Sequence, residues 1–141
     1  MTPPLRAIAL IDDNDADNFF HGMLLERSGI TGRVDVFESA ERALAWFVAS
    51  PDHDIDLILL DINMPRMDGF EFLDAFHLLP ADSIRGTRIY MLSSSPMDAD
   101  RNRAMAYARV DGFIVKPLDE AAIRALSMHI AVPDNGEAAE R

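Results

Sequence analysis

Cysteine is absent from the chain, which excludes a disulfide framework and any thiolate chemistry. Long hydrophobic runs are absent as well, because none approaches the roughly 18 residues that a membrane-spanning helix requires. Only a short apolar stretch precedes Asp12, which is not the pattern of a secretory signal. These absences favour a cytoplasmic protein that does not associate with membranes.

Basic residues are also few. The 141 residues include 13 Lys and Arg against 24 Asp and Glu, which gives a formal net charge of −11. Such a chain repels nucleic-acid phosphates, so the charge argues against DNA or RNA as a direct partner. Most of these carboxylates are expected to lie on a solvated surface, although an excess of acid can also supply a divalent-cation site.

Length and composition are those of one globular domain, with 49% hydrophobic and 26% charged residues. We predict a domain over residues 1–132 and a flexible acidic tail over residues 133–141. Since only this tail follows the last predicted helix, no output domain is expected.

Short apolar runs alternate with segments of helical periodicity. Runs of this length, bounded by polar residues, are typical of strands buried on both faces of a parallel sheet. The predicted strands are Ala7–Ile11, Val34–Phe37, Leu57–Leu60, Ile89–Leu92 and Phe113–Val115. A helix follows each strand, so the pattern predicts an α/β fold, a doubly wound sheet of five parallel strands with five helices.

The predicted helices carry start and stop signals. Ser39 and Asp119 are good N-caps for the second and fifth helices, Ser95-Pro96 is typical of the start of the fourth, and Gly29 ends the first. The positions predicted to face the core include Ala16, Phe20, Met23 and Leu24, then Ala40, Ala43, Leu44 and Phe47, then Phe72, Phe76 and Leu79, and last Ile123, Leu126 and Ile130.

Polar side chains stand where the predicted strands end. The first strand is followed by Asp12 and Asp13, the third by Asp61, the fourth by Ser93 and the fifth by Lys116. In a doubly wound sheet these ends face a common crevice, so the side chains are expected to converge. Three carboxylates that lie together repel one another, and magnesium favours a few carboxylates plus water. Lys116 can neutralise part of the remaining charge.

One carboxylate in such a cluster can act as a nucleophile toward phosphorus and form an aspartyl-phosphate. The transfer needs its developing oxygen charge to be held by a metal and by cationic donors. Magnesium, Lys116 and the Ser93 hydroxyl can supply these contacts, so the residues indicate phosphoryl transfer to an aspartate.

Four motifs carry a resemblance to a known family. They are Asp12-Asp13-Asn14, the run from Leu60 to Gly69 (LDINMPRMDG), Met91-Leu92-Ser93 and the run from Phe113 to Pro117 (FIVKP). In this order at strand ends, they make the chain resemble the receiver domains of two-component response regulators, and the stand-alone chemotaxis regulators in particular. The resemblance implies a flavodoxin-like sheet with strand order 2-1-3-4-5.

The resemblance also implies roles for the site residues. Asp61 resembles the phosphoacceptor. Asp13 and Asp61 resemble direct magnesium ligands, with manganese as an alternative ion. Asp12 resembles an acid that acts through water, and Asn63 a residue that offers its backbone carbonyl to the metal.

A conformational switch is implied as well. Ser93 resembles the hydroxyl residue that bonds the phosphoryl group, in place of the commoner Thr. Lys116 resembles the lysine that contacts the same group, and its bond to Pro117 is commonly cis in the family. Phe113 stands where the family often has a rotating aromatic, with plain core packing as the alternative.

On this interpretation the chain is a single-domain response regulator and not an enzyme, beyond assisting its own phosphorylation and dephosphorylation. A sensor histidine kinase or a histidine phosphotransfer protein donates the phosphoryl group to Asp61. The phosphorylated form then binds a downstream protein or a second copy through the fourth helix, the fifth strand and the fifth helix.

Two other functions fit parts of the pattern. Haloacid-dehalogenase phosphatases also use a strand-end aspartate with magnesium, but they need a second Asp two residues later as general acid, where this chain has Asn63. A degenerate receiver that is never phosphorylated would act as a binding module, although the acids and Lys116 are all present. Asn14 and Asp68 are interpreted as helix caps, and the four histidines as structural or surface residues.

Overall fold

Five strands and six helices lie in residues 3–94 and 97–131, which are the residues described by this computed structural model. The strands are β1 (Ala7–Ile11), β2 (Val34–Phe37), β3 (Ile55–Asp61), β4 (Arg88–Ser93) and β5 (Val110–Val115). The helices are α1 (Asp15–Ser28), α2 (Ala40–Ala49), α3 (Gly69–Phe76), α4 (Ala81–Ile84), α5 (Asp98–Met105) and α6 (Glu120–Ala131). Within these ranges no helix combines the length and the apolar character needed to cross a bilayer.

The sheet is parallel throughout, and its strands lie in the order β2-β1-β3-β4-β5. The predicted order is confirmed. Ile11 of β1 is in register with Phe37 of β2 on one side and with Leu60 of β3 on the other. β2 and β3 therefore lie on opposite sides of β1, so the direction in which successive strands are added to the sheet reverses at β1. The carboxyl ends of β1 and β3 flank the crevice that this reversal creates.

Helices cover both faces of the sheet. On one face, α1 and α6 contribute Leu25, Ile123 and Leu126 to a buried cluster. On the other, α2 and α3 contribute Phe47, Phe72 and Phe76, which are completely or almost completely buried. Residues 57–60 of β3 have no exposed surface, because helices pack on both of their sides. This burial explains why the strand is a continuous apolar run in the sequence.

Several element boundaries differ from the prediction. The helix α4 was not predicted, because four residues are too few to show a helical period. The strand β5 begins at Val110, three residues before its predicted start, because Asp111 and Gly112 interrupt the apolar pattern. Leu79 lies beyond the end of α3, where it packs as a partly buried side chain.

The inward face of α1 was predicted wrongly. Ala16 and Phe20, which were expected to face the core, are exposed, and Phe20 retains 42% of its surface. The buried residues of α1 are Asn18, His21 and Leu25. Two polar side chains can face inward here because each is hydrogen-bonded: Asn18 donates to the Asp12 carbonyl, and His21 Nε2 accepts from the Leu118 amide.

The predicted caps are confirmed where the structure describes them. Asn14 caps α1, Ser39 caps α2, and Asp68 forms a capping box with Glu71 at the start of α3. Asp119 accepts a hydrogen bond from the Ala122 amide at the start of α6. Gly29 ends α1 with a φ of 78°. Ser95, Pro96 and the predicted tail over residues 133–141 lie outside the described residues, and α5 begins at Asp98.

Candidate metal centre

The backbone brings four strand ends to one edge of the sheet. The Asp12 amide donates to the Phe37 carbonyl at 3.1 Å, which continues the β1–β2 ladder by one residue. The Lys116 amide donates to the Ser93 carbonyl at 2.8 Å, which does the same for β4 and β5. Asp61 is itself the last residue of β3, opposite Leu92 of β4. The side chains at this edge are therefore fixed by the ladder and not by a flexible loop.

Three carboxylates form a cluster at this edge. Asp12, Asp13 and Asp61 each offer one oxygen, and these oxygens all lie within 4.8 Å of one another. Asp12 and Asp61 are buried, with 1% and 6% of their surface exposed, whereas Asp13 is exposed. The predicted convergence of these acids is confirmed. Their spacing and chemistry match the oxygen ligands that hard divalent cations prefer.

The Lys116 ammonium lies inside this cluster. Its Nζ is 2.7 Å from Asp12 Oδ2, 3.0 Å from Asp17 Oδ2 and 3.3 Å from Asp61 Oδ1. Burial lowers the pKa of Lys116, but the contacts with Asp12 and Asp17 outweigh it, so the pKa is raised overall. Lys116 is therefore a charged member of the site and not a surface lysine. Sequence reasoning missed Asp17, which lies on α1 and not at a strand end.

The charges in the site do not balance. The site holds four carboxylates, those of Asp12, Asp13, Asp61 and Asp17, but one ammonium, which contacts all of them except Asp13. Burial, and then the neighbouring charge of Asp12, raise the pKa of Asp61 to about 6 despite the opposing effect of Lys116. A buried carboxylate with a raised pKa lacks sufficient positive charge around it. The residues present therefore fit a bound divalent cation.

The remaining predicted site residues lie on β4, on β5 or in the segment after β3. Asn63 is exposed in the segment between β3 and α3, two residues beyond Asp61. Ser93 is buried at the end of β4 and joins Lys116 through the backbone. Phe113 is partly buried on β5, and the Arg101 guanidinium of α5 lies 4.9 Å from its ring centre. The Lys116–Pro117 peptide is cis.

Gly69 lies against the backbone at the end of β3. A Cβ at this position would lie 2.7 Å from the Asp61 carbonyl oxygen and 3.0 Å from Ile62 Cα. Both are backbone atoms, which cannot move aside as a flexible side chain can. The Gly69 amide also donates to the Ile62 carbonyl at 2.8 Å. The residue at 69 is thus limited to glycine by the position of the Asp61 backbone.

The Gly69→Ala substitution is expected to destabilise the protein by roughly 1–3 kcal/mol, the usual cost of overpacking. Urea denaturation compares the free energy of unfolding of the variant and the wild type. Gly86→Ala is the matched control, because a Cβ at Gly86 meets nothing within 4 Å. Equal losses for both variants would show that the contact with the Asp61 backbone is not the cause.

Comparison with known proteins identifies the family. The model for the response regulator receiver domain matches residues 8–127. The chain belongs to the response regulator receiver domain family. It is thus a receiver domain of the two-component phosphorelay type, a family of signalling modules.

Individual relatives agree with this family. The chain is 30% identical over 118 residues to the probable methanogenesis regulatory protein FilR2 of Methanothrix harundinacea, covering 79% of this chain and 72% of FilR2. It is 29% identical to the signal transduction histidine-protein kinase BarA of Shigella flexneri, covering 84% of this chain. The match spans only 12% of BarA.

Solved structures share the fold. A response regulator receiver protein from Dyadobacter fermentans superposes with a TM-score of 0.79 at 30% identity, covering 89% of this chain and 98% of the other. The CheY of Borrelia burgdorferi, solved with CheX, beryllofluoride and magnesium, superposes with a TM-score of 0.73 at 24% identity. This second match covers 90% of each chain. Both matches confirm the flavodoxin-like receiver fold.

Proposed function

We propose that this receiver domain accepts a phosphoryl group on Asp61 in a magnesium-dependent reaction. The observation that carries the proposal is the position of Asp61. Its carboxylate is buried at the end of β3, among two further acids and the Lys116 ammonium. Receiver domains of related fold bind magnesium and beryllofluoride together, as the Borrelia burgdorferi complex does. The acidic cluster of this chain supports the same metal.

Different residues of the site would bind the metal, accept the phosphoryl group and contact its oxygens. Asp13, Asp61 and the Asn63 carbonyl would hold the magnesium ion, and Asp12 would act through water. Magnesium, when bound, offsets the negative charge of the acids and of the incoming phosphoryl group. An Asp61 oxygen forms the new bond to phosphorus as the P–N bond of a phosphohistidine breaks, and its electron pair stays on the imidazole nitrogen. Lys116 and the Ser93 hydroxyl then contact the phosphoryl oxygens.

We infer that the phosphoryl donor is a sensor histidine kinase or a histidine phosphotransfer protein, in the cytoplasm. The likeness to a segment of BarA, a histidine-protein kinase, supports this inference. The net charge of −11 makes a protein a better reader of the phosphorylated state than a nucleic acid. The reader is a downstream protein or a second copy of the chain.

Phosphoryl uptake tests the function and the metal site together. Wild-type protein incubated with acetyl phosphate is expected to gain one phosphoryl group by intact mass, and only when magnesium is present. The Asp13→Ala variant is expected to need at least tenfold more magnesium for half-maximal uptake, because it loses a carboxylate ligand. Isothermal titration of magnesium checks the same difference without phosphorylation. The Asp52→Ala variant, changed in an exposed loop, serves as control.

Equal magnesium dependence in the Asp13→Ala variant and the wild type would contradict the proposed ligand set. Failure of the wild type to take up phosphate with magnesium present would instead favour a receiver that binds partners without phosphorylation.

The output face is proposed to consist of α5, β5 and α6, where α5 and α6 are the helices that the sequence analysis counted as the fourth and the fifth. Exposed apolar side chains occur on all three elements or next to them, among them Met105, Val115 and Met128. In α5 the only buried side chain is that of Ala104, so this helix is weakly attached to the core. The contact between Arg101 and Phe113 joins α5 to β5. Rotation of Phe113 would break that contact and shift α5.

Beryllofluoride with magnesium is expected to change amide exchange at the metal site and also across residues 97–118. The charge of the phosphoryl mimic draws Ser93 and Lys116 inward, and these residues end β4 and follow β5. Hydrogen exchange measured by mass spectrometry checks this. In the Lys116→Ala variant the change should remain at the metal site. Confinement to the metal site in the wild type as well would refute the proposed switch.

A further inference from the structure

Lys116 has a partner outside the set of residues that hold the metal and the phosphoryl group. Its ammonium carries three N–H groups, and three carboxylates surround it. Asp12 and Asp61 belong to the proposed magnesium and phosphoryl site. Asp17 does not, yet its Oδ2 lies closer to Lys116 Nζ than Asp61 Oδ1 does, at 3.0 Å against 3.3 Å. The Asp17 contact also satisfies hydrogen-bond geometry.

The position of Asp17 is fixed by the start of α1. Its amide donates to the side chain of Asn14, the N-cap, at 2.9 Å. One residue later, the Asn18 side chain donates to the Asp12 carbonyl at 2.8 Å, and this bond ties α1 to the end of β1. The side chain of Asp17 is about one-third exposed, so it lies at the mouth of the site. The helix thus presents to Lys116 a carboxylate that does not come from a strand end.

We propose that Asp17 is a positioning residue that shares the Lys116 ammonium in the resting state and so restrains phosphoryl acceptance at Asp61. This inference rests on the proposed function. To contact an incoming phosphoryl oxygen, Lys116 must give up part of its bonding to Asp17. Asp12 cannot restrain Lys116 in the same way once magnesium is bound, because its charge is then shared with the metal. Asp17 lies outside the proposed set of magnesium ligands, so the metal does not share its charge in this way.

The expected effect follows from the exposure of the pair. Partly exposed ion pairs contribute less than about 1 kcal/mol, which corresponds to a rate change of about two- to fivefold. The Asp17→Asn variant is therefore expected to take up phosphate from acetyl phosphate about two- to fivefold faster than the wild type, at saturating magnesium. The Asp17→Glu variant, which keeps the charge, should stay nearer to the wild-type rate.

Two controls separate this role from a general effect of charge. The Asp15→Asn variant removes a carboxylate from the same first turn of α1, at an exposed residue. It should react at the wild-type rate. In a Lys116→Ala background, adding Asp17→Asn should change the rate little, because Asp17 acts through Lys116. A gain of similar size in the Asp15→Asn variant, or in the Lys116→Ala background, would overturn the proposal.

A second measurement does not depend on phosphorylation. Lys116 is the only lysine in the chain, so lysine-selective isotope labelling gives one set of side-chain resonances. In metal-free protein, the Asp17→Asn variant should shift the Lys116 Nζ resonance and speed the exchange of its protons, whereas Asp15→Asn should not. An unchanged resonance would overturn the proposal. If the wild type took up no phosphoryl group but the Lys116 Nζ resonance did shift in the Asp17→Asn variant, the proposed function would be refuted and the contact between Asp17 and Lys116 would be supported.

Discussion

Replacing Asp61 by asparagine is expected to abolish phosphoryl uptake from acetyl phosphate. The amide has nearly the shape of the carboxylate, so the pocket remains, but it is a poor nucleophile and cannot form the acyl phosphate. Intact-mass analysis after incubation with acetyl phosphate and magnesium measures the effect. Wild type should show one added phosphoryl group, and the variant none above the level of a sample without magnesium.

The control for this experiment lies on the same strand. Asp56 is near the opposite end of β3, where it pairs with Arg6 at 2.7 Å. The Asp56→Asn variant should be phosphorylated like the wild type, because its carboxylate is far from the acidic cluster in the strand. Undiminished uptake by the Asp61→Asn variant would refute the assignment of the acceptor. Peptide mapping of the phosphorylated protein would then locate the residue used instead.

The Asp61→Asn substitution is also expected to stabilise the metal-free protein, by roughly 3 kcal/mol above pH 6. In the folded protein the pKa of Asp61 is raised from 3.8 to about 6, first by burial and then by the charge of Asp12. A shift of this size corresponds to roughly 3 kcal/mol of preference for the protonated form. At neutral pH the folded wild type must therefore hold an unfavourable charge, and the amide removes it.

The sign of the pH dependence follows from proton uptake. Between about pH 4 and pH 6 the folded protein keeps the Asp61 proton that the unfolded chain has lost, so the wild type loses stability as the pH rises. The stability advantage of the Asp61→Asn variant should grow through this interval and stay constant above it. Urea denaturation in a chelating buffer at several pH values measures the difference. A difference that is constant from pH 4 to pH 8 would contradict it.

Magnesium should reduce or reverse the stability advantage of the Asp61→Asn variant over the wild type. A metal that binds only the folded state stabilises it in proportion to the logarithm of its concentration. The wild type is expected to gain this stabilisation at neutral pH, whereas the Asp61→Asn variant lacks one of the proposed metal ligands. The gap between the two should narrow as magnesium is added. The buried charge that lowers the stability of the metal-free domain is thus the charge that the proposed function requires, which is a common relation in functional sites.

The sheet and the acidic cluster could be predicted from the sequence for one physical reason. Strands buried on both faces are continuous apolar runs, and the residues that end parallel strands meet at one edge. The convergence of Asp12, Asp61 and Lys116 needs only this rule. Asp17 is different, because it lies on a helix. Its contact with Lys116 depends on how far both side chains extend. No sequence period encodes such a contact.

The error in α1 has a related cause. Periodicity assumes that apolar residues face the core, and it placed Phe20 inside. The structure instead buries Asn18 and His21, since each finds a backbone partner that only the assembled fold provides. The contact between Arg101 and Phe113 was missed for the same reason. It depends on how α5 lies over β5, which the local sequence does not determine.

The contact between Asp17 and Lys116 joins residues 99 positions apart along the chain. It links the first helix to the residue that follows the last strand of the sheet. Closing so long a loop is entropically costly, and Lys116 is held in place by the docking of β5, the strand that it follows. A nascent or partly folded chain that lacks β5 would carry the acids without their ammonium. If Asp61 is the phosphoacceptor as proposed, phosphoryl transfer is therefore expected only from the completely assembled domain, and not from a chain in which β5 has yet to dock.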